Sequence, residues 1–353
     1  MRKSIGTSTH DTTAAPREAH HAITRATATL ITLLAVLLIS CQDGTTDVRT
    51  LKLAHNMPKT HSVHQGLEYM RHYLDSISDG AMHIQIYDSG QLGGEASYIE
   101  LLQMGSLDLT KVSSGALENF VKEFRIFGVP YIFPSKAIYY DIIDGKIGKS
   151  LLKAAMGRWI LGLAFYDSGA RSFYTKEKPI HHPDDLKGVK MRVMPSAMAV
   201  EMMRCFGGSA TPVDFGELYT ALQSGVVDGA ENNTPSITTA FHHETCRYYS
   251  VNEHTMLPDV VLVSLHTWEK LSPQEQAWLQ EAFDASVIYQ RKLWAAQEVA
   301  SMQEMKAKGM EISYPDKAPF IERLSPMIEE YKHDETLGPI IHAIEEEIIH
   351  LNQ

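Results

Sequence analysis

The sequence predicts an α/β protein of two lobes with a cleft between them, and three observations carry that expectation. Strand-like and helix-like segments alternate in βαβα order from about residue 48 to 113. The alternation returns from Trp159 to Trp268 without long-range sequence repetition, and the C-terminal third is helical, with one segment long enough to cross both lobes. With 353 residues, 44% hydrophobic and 21% charged, the composition is ordinary for a globular chain and allows one large or two medium domains.

The first 47 residues stand apart. LITLLAVLLIS, residues 30–40, is too short an apolar run to span a bilayer but has the length of a signal-peptide core, and basic residues precede it. Leu38-Ile39-Ser40-Cys41 resembles a bacterial lipobox, which makes Cys41 the expected lipidated first residue of the mature chain, with a polar tether after it. A chance cysteine after a hydrophobic stub is the plainer alternative. The region before Leu30 is long and carries Asp11 and Glu18, which suits a translation start further in than Met1. Removing residues 1–40 deletes four basic and two acidic side chains and takes the formal charge from −11 to −13. So acidic a surface argues against nucleic acid or anionic lipid as the main partner, although a small anion answers only to the field inside its own pocket.

VRTLKLAHNMP reads as a strand ending on His55 and Asn56. HQGLEYMRHYLDSIS follows as a helix, with Leu67, Met70, Tyr73, Leu74 and Ile77 at helical spacing. MHIQIYDSGQLGG is a strand entering a glycine-rich turn, EASYIELLQMG a helix and LDLTKVSS a strand. WILGLAFYDSGARSFYT reads as two strands broken at Gly169, VKMRV as another strand, AMAVEMMRCFG and ELYTALQSG as helices, and VVDGAENN and DVVLVSLHTW as strands. The long helix starts at Ser272 as N-cap, with Pro273 at its first position and Glu275 completing a capping box, and stops at Gly309. Unbroken, it would be ~54 Å long and would brace the lobes or form their hinge; a coiled-coil arm is the alternative.

Catalytic signatures are scarce. The sequence contains no P-loop, G-x-S-x-G, HExxH or CxxC, and GQLGGE lacks dinucleotide spacing. Asn232-Asn233-Thr234 fits a glycosylation sequon by chance. Seventeen histidines, among them His61, His64, His181, His182, His242 and His243, raise metal binding, but a site needs several converging ligands, and solvated surface is the reading favoured here. Cys205 and Cys246 either pair or remain free thiols. No cofactor is expected.

Arginine gives the better lead. Arg192 interrupts the apolar strand VKMRV, and Arg171 follows the Gly169 break, so both could serve one crevice at the strand ends, where open α/β sheets bind ligands. A guanidinium there grips a carboxylate through two parallel hydrogen bonds, or else pairs with an internal acid such as Glu217 or Glu231. Spacing leaves the two readings even.

LKLAHNMPKTHSVHQG, YDSGQLGGEASYIELLQMGSLDLT, FGVPYIFPS, DDLKGVKMRVMPSAM, GGSATPVDFGELYTALQSGVVDGAENN and LSPQEQAWLQEAF resemble, in this order, the motifs of the periplasmic solute-binding subunit of TRAP transporters, the DctP type, over nearly the whole chain from Val48. The resemblance implies a periplasmic-binding-protein fold of two α/β lobes, joined by crossing strands and a long helix spanning both. It implies Arg192 as the carboxylate anchor, Arg171 as a second contact and Asn232 as the group completing the anchor. Phe215, with Glu217 and Tyr219 nearby, and Asn56 from the other lobe are further implied contacts.

The corresponding organisation is a signal peptide over 1–40, a lipidated tether over 41–48, a first lobe from 49–168 and 258–297, and a second from 169–257 and 298–353. KVSSGAL, with Ser113 and Ala116, departs from members that bind sialic acid, so that ligand is not expected. Pro195 after Met194 departs from the common placement of proline, while Met57, Met194 and Phe215 leave room for an apolar tail on the ligand.

The expected function is capture of a small organic acid by a lipid-anchored, non-enzymatic envelope protein, which delivers it to a TRAP-type membrane permease. The same fold could instead bind a hydrophobic ligand, with Arg192 paired internally and a tetratricopeptide-repeat protein as partner, as in some lipoprotein relatives. An envelope enzyme acting on a carboxylated substrate is the alternative from another class.

Overall fold

The computed structural model describes residues 48–351; the apolar run at 30–40, Cys41 and the tether lie outside the described residues. Strand β1 (Arg49–Ala54) runs parallel to β2 (Met82–Tyr87), with helix α1 (Ser62–Ile77) as the crossover. The helical spacing read in the sequence places Leu67, Met70 and Leu74 on the buried side of α1, whereas Tyr73 faces outward and donates its hydroxyl hydrogen to Glu281. α2 (Glu95–Gln103) leads to β3 (Leu109–Ser113), also parallel to β1. Helices α3 (Ser114–Leu117), α4 (Lys136–Asp144) and α5 (Lys146–Ala154) precede β4 (Ile160–Tyr166).

The chain then crosses into the second lobe. This lobe contains β5 (Arg171–Thr175), β6 (Lys190–Val193), α6 (Ala197–Phe206), β7 (Ser209–Pro212), α7 (Leu218–Ser224), β8 (Gly229–Asn232), α8 (Thr234–Thr239) and β9 (Tyr248–Thr255). It crosses back to β10 (Asp259–Ser264), and α9 (Leu265–Trp268), α10 (Pro273–Ala307), β11 (Glu311–Ser313), α11 (Ala318–Lys332) and α12 (Leu337–Leu351) complete the order.

Two sheets result, ordered β2-β1-β3-β10-β4 and β11-β9-β5-β8-β6-β7. Both are mixed, where βαβα order led to the expectation of mostly parallel sheets: β10 runs antiparallel to β3 and β4, and β5 antiparallel to β8 and β9. The exchange of strands explains the difference. A strand arriving from the other lobe enters its sheet from the far side and so runs against its neighbours. The two crossings lie side by side, with Asp259 opposite Tyr166 and Arg171 opposite Thr255.

The largest buried cluster continues through both lobes, joining Phe124, Phe127 and Phe165 to Phe173, Met191 and Phe206 through Leu257 of the return crossing. Large side chains buried in this way contribute about 1.5–3 kcal/mol each. α10 begins with the Ser272–Glu275 capping box and spans both lobes: it packs on α1 and β4 in the first and on α8 in the second, burying Phe283, Trp294 and Met305. Gly169 (φ +58°) lets the outgoing crossing lie against this helix, since a Cβ there would stand 2.4 Å from Glu298 Oε1 and 3.0 Å from Trp294 Nε1. Within 298–353, expected with the second lobe, α11 packs on α6, whereas α12 lays Leu337, Ile341 and Ile344 into the shared core beside α4 and α5 of the first.

The histidines correct the sequence reading. His181 and His182 are exposed, but His61, His64, His242 and His243 are buried, because the helix ends that carry them face the lobe interior rather than solvent. Among the described residues no group of three or more His, Cys, Asp or Glu side chains is arranged to hold a metal ion. Cys205 and Cys246 are free thiols, the first part-exposed and the second buried.

Candidate functional site

Between the lobes lies a cavity of about 400 Å³, within the ~300–1,000 Å³ usual for small-molecule sites. The loops after β1 and β2, the start of α2 and the end of β3 wall it from the first lobe. The ends of β6 and β8 and the segment before α7 wall it from the second. The lobes meet at its rim. Asn119 Nδ2 donates to Pro195 O (2.7 Å), and Glu118 Oε1 accepts from Ser196 Oγ (2.8 Å) and from the Met198 N–H (3.1 Å), capping α6 from the opposite lobe. Gly94 approaches Asp214 so closely that a Cβ would stand 3.1 Å from its Oδ2.

The two arginines separate into different roles. Arg171, at the start of β5, is fully engaged with its own protein: Nε and Nη2 donate to Glu231 Oε2 and Oε1 (2.5 and 2.9 Å), Nη2 also to Glu231 O, and Nη1 to Asn232 Oδ1 (2.8 Å). Burial pushes the Glu231 carboxyl up, but Arg171, with help from His254, outweighs it and holds the pKa at about 2.

Arg192 sits on β6 between β7 and β8, 2% exposed, in the cavity wall. Its Nε donates to Val213 O (2.8 Å), Nη1 has no hydrogen-bond partner, and among the described residues no carboxylate comes within ion-pair distance. Burial lowers its pKa, but a guanidinium stays charged in a protein. The internal acid that sequence reading allowed is therefore present for Arg171 and absent for Arg192.

Asn232, Phe215, Asn56 and Glu217 also line the cavity. Asn232 is buried and holds Arg171 through its Oδ1, while Asn56 Oδ1 is buried without a partner. Phe215 is half-buried and Glu217 lies exposed at the rim. Tyr219 is not brought to the cavity. One step along α7 from Leu218, which turns into the core, it donates its hydroxyl hydrogen to Glu244 on the outer surface (2.9 Å).

Sequence reasoning missed several wall residues. Glu95 opens α2, where its charge suits the helix N-terminus, and accepts the Ser113 N–H through Oε1 (3.0 Å). Asp259 opens β10, and the fully buried Lys111 ammonium lies 3.3 Å from Asp259 and 3.6 Å from Glu95. Burial raises the pKa of both acids, and Lys111 opposes it. His61 caps α1 by accepting the Val63 N–H at Nδ1, so its Nε2 carries the proton and faces Ser236 Oγ at 3.4 Å. Burial, helped by Lys111, pulls its pKa down to about 3 and keeps it neutral. Lys111 gave the signal that singled out Arg192, a charge inside a fully buried strand.

Residues 53–334 match the family model described as bacterial extracellular solute-binding protein, family 7, labelled DctP. The chain is 35% identical over 297 residues to protein YiiZ of Salmonella typhimurium, covering 84% of this chain and 90% of that one. Among solved structures it is similar to a TRAP periplasmic solute-binding protein from Xanthobacter autotrophicus with bound β-D-galacturonate. That match has 36% identity and TM-score 0.81, and covers 84% of this chain and 99% of that one. It is similar also to one from Anaerococcus prevotii with bound D-glucuronate, with 35% identity, TM-score 0.82 and coverage of 84% and 97%.

Proposed function

Because the chain belongs to the DctP family of bacterial extracellular solute-binding proteins, we propose that its cleft takes a sugar acid of the hexuronate class and holds it by its carboxylate. Members of this family are binding proteins of TRAP transporters, and this chain is one of them. One observation carries the finer reading: Arg192 is a buried guanidinium in the cleft wall with donor capacity left over and no acid beside it. A ligand carboxylate supplies the missing charge and two acceptor oxygens.

The other walls suit the rest of such a molecule. Glu95, Asp259, Asn56, Ser113 and Asn232 offer polar atoms on several sides, which matches a chain or ring of hydroxyls. The apolar-ligand alternative required Arg192 to be paired internally, and nothing in the cleft favours it. In this reading Arg171 and Asn232 act as one unit: Arg171, neutralised by Glu231, fixes the wall against which Arg192 is presented.

The protein captures rather than transforms its ligand, and delivery to a TRAP-type permease completes the cycle. Closing the lobes has an ordering cost that the carboxylate contacts offset. Residues 1–40 act as a leader and Cys41 as a lipid anchor, so Cys41→Ser should move the protein from the membrane fraction to the soluble one. The central experiment is titration calorimetry with D-galacturonate and D-glucuronate. Saturable binding, with ligand recovered unchanged, is expected. Absence of binding to any sugar acid would overturn the reading.

A further inference from the structure

The cavity has two poles of opposite charge. At one stands Arg192, unpaired; at the other, Glu95 and Asp259 share one ammonium, that of Lys111, which leaves a net negative charge. Lys111 is 0% exposed and has no partner in hydrogen-bond geometry, so it neutralises both acids at a distance without occupying their oxygens. Glu95 Oε2 and both oxygens of Asp259 form no hydrogen bond among the described residues, and both side chains line the cavity.

We propose that Glu95 and Asp259, gathered around Lys111, make the cleft select sugar acids with one carboxylate and reject the corresponding diacids. The inference rests on the sugar-acid reading and narrows it. Ionised carboxylates only accept hydrogen bonds, so this pole takes hydroxyl donors and gives nothing back to an oxyanion. A second ligand carboxylate placed there would meet like charge in a site closed from water. His61 completes the pattern. Its Nδ1 is used by Val63, so its Nε2–H can only donate, and a hydroxyl that both donates and accepts fits a wall with acids on one side and this imidazole on the other.

Galactarate is the discriminating probe, because it differs from D-galacturonate only at C1 and from D-galactonate only at C6; the glucose-derived set serves in parallel. Titration calorimetry of the full chain at pH 7.5 should find the best monoacid at least ~100-fold tighter than its diacid. Glu95→Gln, which keeps size and removes charge, should shrink that ratio at least ~10-fold, mainly by tightening the diacid. A diacid within ~10-fold of the best monoacid in the unmodified protein would overturn the inference alone, as would an unchanged ratio in a natively melting Glu95→Gln protein. Should that variant not fold, the unmodified ratio decides. No binding of any of the six compounds would instead overturn the sugar-acid reading itself.

Discussion

Replacing Arg192 with methionine should have effects of opposite sign on the empty and the loaded protein. In the empty protein the guanidinium is 2% exposed, makes one hydrogen bond to Val213 O and has no counter-charge. Replacing buried ionic groups by apolar ones of similar size commonly stabilises by about 1–4 kcal/mol. At roughly 2–4 °C per kcal/mol for large domains, the ligand-free Tm should rise by a few degrees. With ligand the sign reverses. Losing one partner of a buried charge pair costs about 2–5 kcal/mol, or ~30- to several-thousand-fold in Kd. The ~2.7 kcal/mol of stabilisation expected at a hundredfold excess over Kd should then vanish. Arg171→Met is the control: it strands Glu231, 2% exposed, without its cation and should destabilise by about 3–5 kcal/mol even without ligand. Differential scanning fluorimetry with and without D-galacturonate reads both arms. A ligand-free Arg192→Met protein that melts as low as Arg171→Met, or one that keeps the full ligand shift, would refute the reasoning.

Three more outcomes are expected. Gly169→Ala should lower Tm by several degrees and weaken binding, because its Cβ meets Glu298 and the Trp294 indole at the crossing; melting and calorimetry check it. Glu118→Ala removes the cap that α6 receives from the other lobe, so Kd should rise about 5- to 30-fold although Glu118 does not line the cavity. Stability should also fall with acid. His61 and His242 are neutral in the fold, each pulled down to about 3, His61 by burial and then Lys111, His242 by burial and then Arg192. Between about pH 6.5 and 3 the unfolded chain therefore binds more protons than the folded one, and stability declines as pH drops through that window. Glu231, with its pKa held at about 2, adds a further loss below about pH 4.5. A Tm constant from pH 6.5 to 4 would contradict this.

Much of the fold was legible because the signals are local. Alternating periods marked the strands and helices, and Ser272, Pro273 and Glu275 marked the start of the long helix. Arg192 was legible for a related reason, since a permanent charge in a buried strand demands an explanation. The pairing of Arg171 with Glu231 was one of two readings, and only the register of β5 against β8, which sets Phe173 opposite Glu231, decides it. The acidic pole was not legible. Glu95, Lys111 and Asp259 lie on three elements that adjoin only once β10 has crossed back beside β3. Burial of the histidines was hidden likewise: His61 looks like a solvated helix end until α8 and Trp294 close over it.

The free donor on Arg192 has a practical meaning for any measurement in solution. Acetate, formate or citrate from a buffer can compete for the same guanidinium, so the observed Kd for a sugar acid scales with one plus the competitor's concentration over its own dissociation constant. Buffers of sulfonate and carboxylate type should accordingly rank the same ligand differently. Within the cell envelope, the same competition makes occupancy a readout of the whole pool of small carboxylates, and uptake of one sugar acid becomes sensitive to the abundance of the others.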